Sequence, residues 1–573
     1  MGNSIWKSRE VSEEHIDKIV NEFKMTRPSA VYLSGRGIVP DELDSYMKSS
    51  LKELGDPFVF SDMYKSVARL WEAIEKGEAI VIHGDYDTDG VTATALITWV
   101  LEQNGAKVYP FLPDRFDDGY GFTAESLEKA IIQVPAFETC KVAVTVDCGI
   151  NSGAAIQYAK KEAIDVIVTD HHDPGDDNMS DAFAIINPKY NKGVDEYKIL
   201  AGVGVAFKLA HGFIKYGRQK NLGGFSTDLN EVLDLVALGT IADIVPLTGE
   251  NRLLTSSGIV HLKKQLRPGI RALFELANVK KSPKPTDITF KLAPRINAAG
   301  RLGNATAALK LLMSPTIIEA YQYANELDEF NKKRQAKEFE IYTEAKNQIA
   351  SESDLTDAKS IVVAGDDWHQ GVIGIVASRL VRDFSRPSIV LTIKDGEAQG
   401  SGRSLPGINL VETLSACSHL LIRYGGHPMA VGLSLKEENI AEFAKLFEKK
   451  LATIVSEEDL ISKIHYDGTL NINQVNDEFL KTLGDFEPYG HANQTPVFRI
   501  NDLYPEQLFA IGDKHSRGKF IDSNKYSMDF IAFNVSKDLL ENQYVDVLAT
   551  PQYNDFYNPP RLQLNIVDVK ASY

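Results

Sequence analysis

The chain has 573 residues, 43% hydrophobic and 25% charged, which excludes a mostly disordered polymer and leaves room for about three or four domains at roughly 150 residues each. Its net charge of −17 excludes a protein that coats nucleic acid by charge alone, and no run of about 18 uncharged apolar residues marks a transmembrane helix. Cys140, Cys148 and Cys417 make no CxxC pair, and MGNSIWKSRE has neither an apolar signal core nor, with Trp6, the Ser or Thr of a myristoylation site, so a cytoplasmic protein without membrane contact is expected.

A leader (1–55) precedes the first clear strand, EAIVIH (Glu78 to His83). That strand runs into HGDYDTDG, where Asp85, Asp87 and Asp89 alternate before a glycine. A calcium loop begins this way, but its twelfth position requires a bidentate Glu, and counting from Asp85 that position is Leu96. A helix over Val91 to Gln103 follows, then KVYPFLP, then the strand KVAVTV (Lys141 to Val146) ending in DCGI. A helix from Ser152 to Glu162 leads to DVIVT (Asp165 to Thr169), which ends in DHHD (Asp170 to Asp173). Apolar β-branched strands separated by helices predict a doubly wound parallel sheet, whose ligands gather beyond the carboxyl ends of the strands. Three strands deliver Asp or His to that edge, and Asp243 in LGTIADIVPL follows a helical segment. Turn chemistry explains one DxDG, not three such strand ends.

Residues 263–301 hold ten Lys or Arg against Glu275 and Asp287, a local +8 in an acidic chain and a candidate track for phosphates. Residues 316–350 contain no Pro or Gly and read as one long connecting helix. A second βα-rich unit opens at KSIVVAG near Lys359 and runs to about Ala452. After about Ser462 the period changes to two, in YSMDFIAFNV, YVDVLAT and RLQLNIVDV, which predicts a small β barrel. The expected division is a catalytic α/β domain over 56–315, a connecting helix over 316–355, a second α/β domain over 356–458 and the barrel over 459–573.

HGDYDTDG, VDCGI, DHH and ADIVPL match in order the motifs of the DHH phosphoesterase superfamily. The chain resembles its RecJ-like single-strand-specific exonucleases along nearly its whole length, through PDRFDDGYGF, LAGVGVAFKLA, APRINAAGRLGNA, HQGVIGIVASRL, GSGRS, GGHPMAVG and FEPYGHANQTPVF. The resemblance implies an α/β fold with a DHH-type catalytic domain, a long helix, a DHH-associated α/β domain and an OB-fold barrel for single strands. It further implies a 5′→3′ exonuclease that releases 5′ mononucleotides from single-stranded DNA in recombination and repair. Carboxylate and imidazole donors suit a pair of Mn²⁺ or Mg²⁺ ions, with mixed O/N ligation favouring Mn²⁺.

By the same resemblance Asp147 bridges the two ions, Asp87 and Asp89 serve one each, and His171 and Asp243 complete the second site. His172 then lies nearer the scissile phosphate, and Asp170 holds the histidines in orientation. Asp85 is a catalytic neighbour of open role. His83 is either a ligand or a strand-end histidine with one hydrogen bond. Arg115, Arg301, Ser401 and Arg403 are the expected contacts for the 5′ end of the strand, with His427 touching substrate or cleft. Two alternatives stand beside this reading: a phosphodiesterase for short oligoribonucleotides or cyclic dinucleotides, and a non-catalytic replication scaffold of the same superfamily. Because the chain stops at Tyr573, soon after the barrel, no further C-terminal interaction domain is expected. That expectation weighs against contacts with single-strand-binding protein or a helicase, which remain the candidate protein partners beside single-stranded DNA; a monomeric enzyme is expected.

Overall fold

The computed structural model describes residues 4–47, 50–114, 121–136, 138–175, 177–280, 282–303, 305–352 and 358–572. Its contacts divide the chain into two compact units, one of residues 49–335 with 488–494, the other of 1–48, 336–487 and 495–573.

The first unit is built on five parallel strands in the spatial order Lys107–Phe111, Ala79–Gly84, Cys140–Val146, Asp165–Thr169, Ala184–Ile186. All six residues of Ala79–Gly84 are buried, as expected of a strand covered on both faces. In chain order this arrangement reads 2-1-3-4-5, so the winding reverses between Ala79–Gly84 and Cys140–Val146. Beyond the carboxyl ends of that pair is where such sheets take their ligands. HGDYDTDG and DCGI are the two loops that leave there.

The helix after HGDYDTDG spans Thr88–Glu102, three residues longer at its start than its apolar pattern predicts. The reason is Asp87, whose Oδ1 accepts the N–H of Asp89 at 2.9 Å and of Gly90 at 3.1 Å and so caps the first turn. Apolar almost all round, this helix packs against helices Gly202–Lys220 and Leu233–Ala242, and all three belong to one core with the sheet.

The basic stretch 263–301 differs from a bare phosphate track. Arg267 pairs with Asp234 at 3.1 Å, Arg271 with Glu275 at 3.3 Å, Lys291 with Asp287 at 2.7 Å and Arg295 with Asp328 at 2.9 Å. Two of those carboxylates, Asp234 and Asp328, lie outside the stretch, so its local charge could not be read from its own residues.

In the second unit a mixed sheet orders Leu421–His427, Ala430–Lys436, Glu397–Arg403, Ser388–Lys394 and Ile361–Asp366, the last two parallel and the rest antiparallel. The C-terminal barrel closes when Phe498–Ile511 pairs both with His515–Ile521 and with Val545–Asn554. Closure leaves no open edge between these strands. The leader joins this unit: Ile5–Ser8 pairs in parallel with Lys463–Tyr466, and fully buried Tyr32 stacks on Phe486 with centroids 5.2 Å apart. Asp467, 1% exposed, accepts Arg9 at 3.0 Å and Arg36 at 2.8 Å, a buried charge answered by two cations. Among the described residues no helix is long and apolar enough to cross a membrane.

Candidate metal centre

Asp147 ends the strand Cys140–Val146 with φ of 59°, in the left-handed region that L residues rarely adopt. Its N–H is held by Thr169 O at 3.0 Å, which ties the turn to the neighbouring strand. Gly202 crosses directly over its carboxylate, and a Cβ there would stand 2.3 Å from Asp147 Oδ1. Gly90 is needed for a similar reason, since a Cβ on it would lie 2.5 Å from the backbone oxygen of Asp85.

Three overlapping groups of donor atoms gather at this edge: Asp85, Asp87 and Asp147; Asp89, His171 and Asp243; and Asp147 with His171 and His172. The imidazole Nε2 of His171 stands 3.2 Å from Asp147, 3.6 Å from Asp243 and 4.0 Å from Asp89. Asp89 is held by the start of the Gly202–Lys220 helix, its two oxygens accepting Gly202 N–H at 2.6 Å and Val203 N–H at 2.9 Å. A helix N-terminus is the natural counterpart of an anion.

The electrostatics of this cluster call for cations. Burial raises Asp147 and Asp89 well above the usual carboxylate range, and the surrounding Asp87, Asp243 and, for Asp147, Asp85 raise them further. Asp85 is pushed up to about 8 by burial and Asp87, and Asp243 to about 7 by the same two causes. Among the described residues, the buried Oδ1 atoms of Asp85 and Asp147 accept no hydrogen bond. Burial and the charge of His172 push His171 down to about 4, so its imidazole is neutral and free to coordinate. Like-charged buried carboxylates, orphaned oxygens and a neutral imidazole fit a pair of hard divalent cations.

Asp170 works differently. Its Oδ1 accepts His172 Nδ1 at 2.8 Å and the N–H of His171 at 2.7 Å, while Oδ2 accepts Ile150 N–H at 3.0 Å. Burial opposes its ionisation, yet His172 and these backbone donors hold its carboxyl below the usual range. His172 in turn loses stability as a cation on burial, but Asp170 raises it to about 9.

The structure does not bring His83 into any of the three groups. Its Nε2 lies 2.9 Å from Ser126 Oγ, its Nδ1 faces Cys148 Sγ at 3.8 Å, and its ring packs on Phe111 and Phe122. Both ring nitrogens face protein groups, an arrangement that favours the strand-end alternative over the ligand one. Asp85, by contrast, lies within the first group. Arg115 falls outside the described residues. Arg301 lies in the last turn of the helix Ala293–Leu302 in the same unit.

In the other unit, Arg403 Nη1 donates to Ser401 Oγ at 2.9 Å, the two side chains standing two residues apart on one face of the strand Glu397–Arg403. Burial alone lowers the pKa of the Arg403 guanidinium. His427 is exposed at the end of Leu421–His427. Sequence reasoning had no role for Gly202 and Val203, whose amides grip Asp89, or for Asn187, whose Nδ2 donates to His172 O at 3.0 Å. The one available signal was the small-residue start LAGVG, which lets a helix N-terminus approach another backbone.

Residues 79–240 match the DHH family N-terminal domain, 357–453 the DHHA1 domain and 466–568 the RecJ OB domain. The chain is 34% identical to the single-stranded-DNA-specific exonuclease RecJ of Bacillus subtilis, over 99% of this chain and 71% of that one. It is 37% identical to the Escherichia coli protein of the same name, over 89% and 90%. The crystal structure of Thermus thermophilus RecJ in complex with Mn²⁺ superposes with a TM-score of 0.82 at 28% identity, covering 99% of this chain and 80% of that one. The parallel sheet, its acidic carboxyl edge and the closed barrel are thus those of a known lineage: the chain belongs to the RecJ family of single-stranded-DNA-specific exonucleases.

Proposed function

We infer that the chain is a metal-dependent single-stranded-DNA-specific exonuclease that hydrolyses phosphodiester bonds in the 5′→3′ direction, releases 5′ mononucleotides and acts in recombination and repair. The observation that carries this is the convergence of Asp85, Asp87, Asp89, Asp147, Asp243 and His171 at the switch point of the sheet. Asp85, Asp87 and Asp147 would hold one ion, and Asp89, His171 and Asp243 the other; Asp147 Oδ1 stands 3.2 Å from His171 Nε2, which supports Asp147 as the carboxylate shared by the two. When bound, two Mn²⁺ or Mg²⁺ ions supply the Lewis acidity that activates water and stabilises the leaving oxygen of an in-line displacement.

The rest is done by this chain's side chains. Gly202 and Val203 donate to the two oxygens of Asp89 and fix the plane of its carboxylate. His172, held by Asp170 as an imidazolium at neutral pH, offers a proton and a positive charge to the phosphate or its leaving oxygen. Arg115, Arg301, the Ser401 and Arg403 pair and His427 hold the strand; the half-buried Arg403, which donates to Ser401 and whose pKa is lowered by burial alone, suits a phosphate.

The domain assignment is 1–55 leader, 56–315 catalytic, 316–355 connecting helix, 356–458 DHH-associated and 459–573 OB fold; the matched family segments support it. An enzyme restricted to single strands needs another protein to expose or coat them, which supports a helicase or single-strand-binding protein as partner of a monomeric nuclease. Three free cysteines, two of them buried, support a reducing, cytoplasmic setting.

Digestion of 5′-labelled, 5′-phosphorylated single-stranded DNA with Mn²⁺ and Mg²⁺ side by side tests this reading. Early release of labelled mononucleotide is expected, with blunt duplex left largely intact. Equal digestion of duplex, or release from the 3′ end first, overturns it.

A further inference from the structure

Asn297 lies on the second turn of the helix Ala293–Leu302, and its Oδ1 accepts two hydrogen bonds from Thr88, from the backbone N–H at 2.7 Å and from Oγ1 at 2.7 Å. A backbone N–H can only donate, so the amide orientation is fixed: oxygen toward Thr88, nitrogen away from it. Thr88 stands between Asp87 and Asp89. The helix is pressed onto the same loop one turn later, where a Cβ on Gly300 would stand 2.9 Å from Tyr86 O. Asn297 and Arg301 are four residues apart and share one face of this helix. Half-buried, Asn297 has its oxygen fully committed, while its Nδ2 donates to no acceptor among the described residues.

The surroundings make an amide the apt group. A phosphate approaching Asp85, Asp87, Asp89, Asp147 and Asp243 meets carboxylates that repel it. A cation placed among them would pair with a carboxylate and compete with the metals, whereas an amide N–H₂ carries no net charge to be captured. With its acceptor end anchored on Thr88, the amide cannot turn to present oxygen to the anion.

We propose that Asn297 is a substrate-contacting residue, donating from Nδ2 to a non-bridging oxygen of the phosphate held beside Asp87 and Asp89, on the same helical face as Arg301. The proposal rests on the nuclease reading above. It adds to that reading a donor that belongs to no DHH motif, supplied by a helix about 200 residues downstream of Thr88.

Steady-state digestion of 5′-phosphorylated single-stranded DNA with Mn²⁺, by the full chain and the variants N297D and N297A, separates donor from anchor. N297D keeps an oxygen for both Thr88 bonds and replaces the donor by an anionic oxygen; N297A removes donor and anchor together. A donor gives the order wild type, N297A, N297D, with N297D losing at least about tenfold in kcat/KM, mainly through KM. A mere anchor gives the opposite order: N297D within about twofold of wild type and N297A clearly worse, which overturns the proposal. Melting temperatures taken alongside keep the comparison to folded protein, and the two orders remain distinct even if both variants lose stability. Wild type that leaves the strand intact would sink the nuclease reading itself, a separate result.

Discussion

His172 Nδ1 lies 2.8 Å from Asp170 Oδ1, and that same oxygen accepts the backbone N–H of both His171 and His172, at 2.7 and 3.1 Å. One buried carboxylate therefore fixes the turn and sets the charge of the imidazole beside it. The two adjacent histidines are driven in opposite directions: His171 to about 4, chiefly by burial, and His172, against burial, to about 9 by Asp170.

A histidine whose folded pKa is raised keeps its positive charge below that value and loses it as pH rises through it. The rate at saturating metal is thus expected to fall on an alkaline limb as His172 deprotonates, below the value of about 9 that it has without metal, because the cations offset Asp85 and Asp243, which help to raise it. His172→Gln should lower kcat by roughly 10²-fold or more and remove that limb, while Asp170→Asn should move it to lower pH. A pH–rate profile is the measurement; the same limb in His172→Gln would assign it to another group.

Asp147 combines a left-handed backbone with a carboxylate crowded by like charges. Asp147→Asn, whose side chain tolerates that φ, should abolish cleavage, retain strand binding and melt higher than wild type in EDTA at neutral pH, because the metal-free fold no longer has to take up a proton at a carboxyl raised well above its unfolded value. Asp147→Ala should be equally inactive but less stable than Asp147→Asn, by roughly 1 kcal/mol. Residual cleavage in either variant would remove Asp147 from the centre of the site.

Gly202→Ala places a methyl group 2.3 Å from Asp147 Oδ1, closer than any real contact. Either the carboxylate or the start of the helix Gly202–Lys220 must shift, and with it the two amides that hold Asp89. A rate loss of roughly 10²-fold is expected from such a displacement, with a stability cost of about 1–3 kcal/mol. Wild-type turnover would mean that the site tolerates movement of both.

Metal should stabilise the protein more at higher pH. Asp85 and Asp243, with carboxyls at about 8 and 7, are favoured in the protonated form by the metal-free fold; their contribution is intact below the unfolded value near 4 and is lost as pH rises through 7 and 8. Cations replace those protons, so the gain in Tm on adding Mn²⁺ should be larger at pH 8 than at pH 5.5. Scanning calorimetry with and without Mn²⁺ checks this. A gain independent of pH would place the binding elsewhere.

The parallel sheet and the acids at its edge were legible because each strand is a short apolar run that stops at Asp or His, a pattern carried by neighbouring residues. Long-range relations were not. Nothing in EAIVIH says that His83 would find Ser126 43 residues away, and the sequence alone left its ligand and core readings open. The charge of residues 263–301 looked free because Asp234 and Asp328 answer it from outside the stretch. The amides of Gly202 and Val203 carry no side-chain signal, though they determine how Asp89 is presented.

The leader's pairing of Ile5–Ser8 with Lys463–Tyr466, and of Tyr32 with Phe486, sets an order on synthesis. Its first strand leaves the ribosome more than 450 residues before its partner exists, a wait of about 25 to 90 s at typical elongation rates. The parallel sheet with its aspartates is complete long before that, so the earliest residues made are among the last to fold. A nascent chain halted near residue 340 should present a protease-resistant sheet behind a leader that is still cleavable.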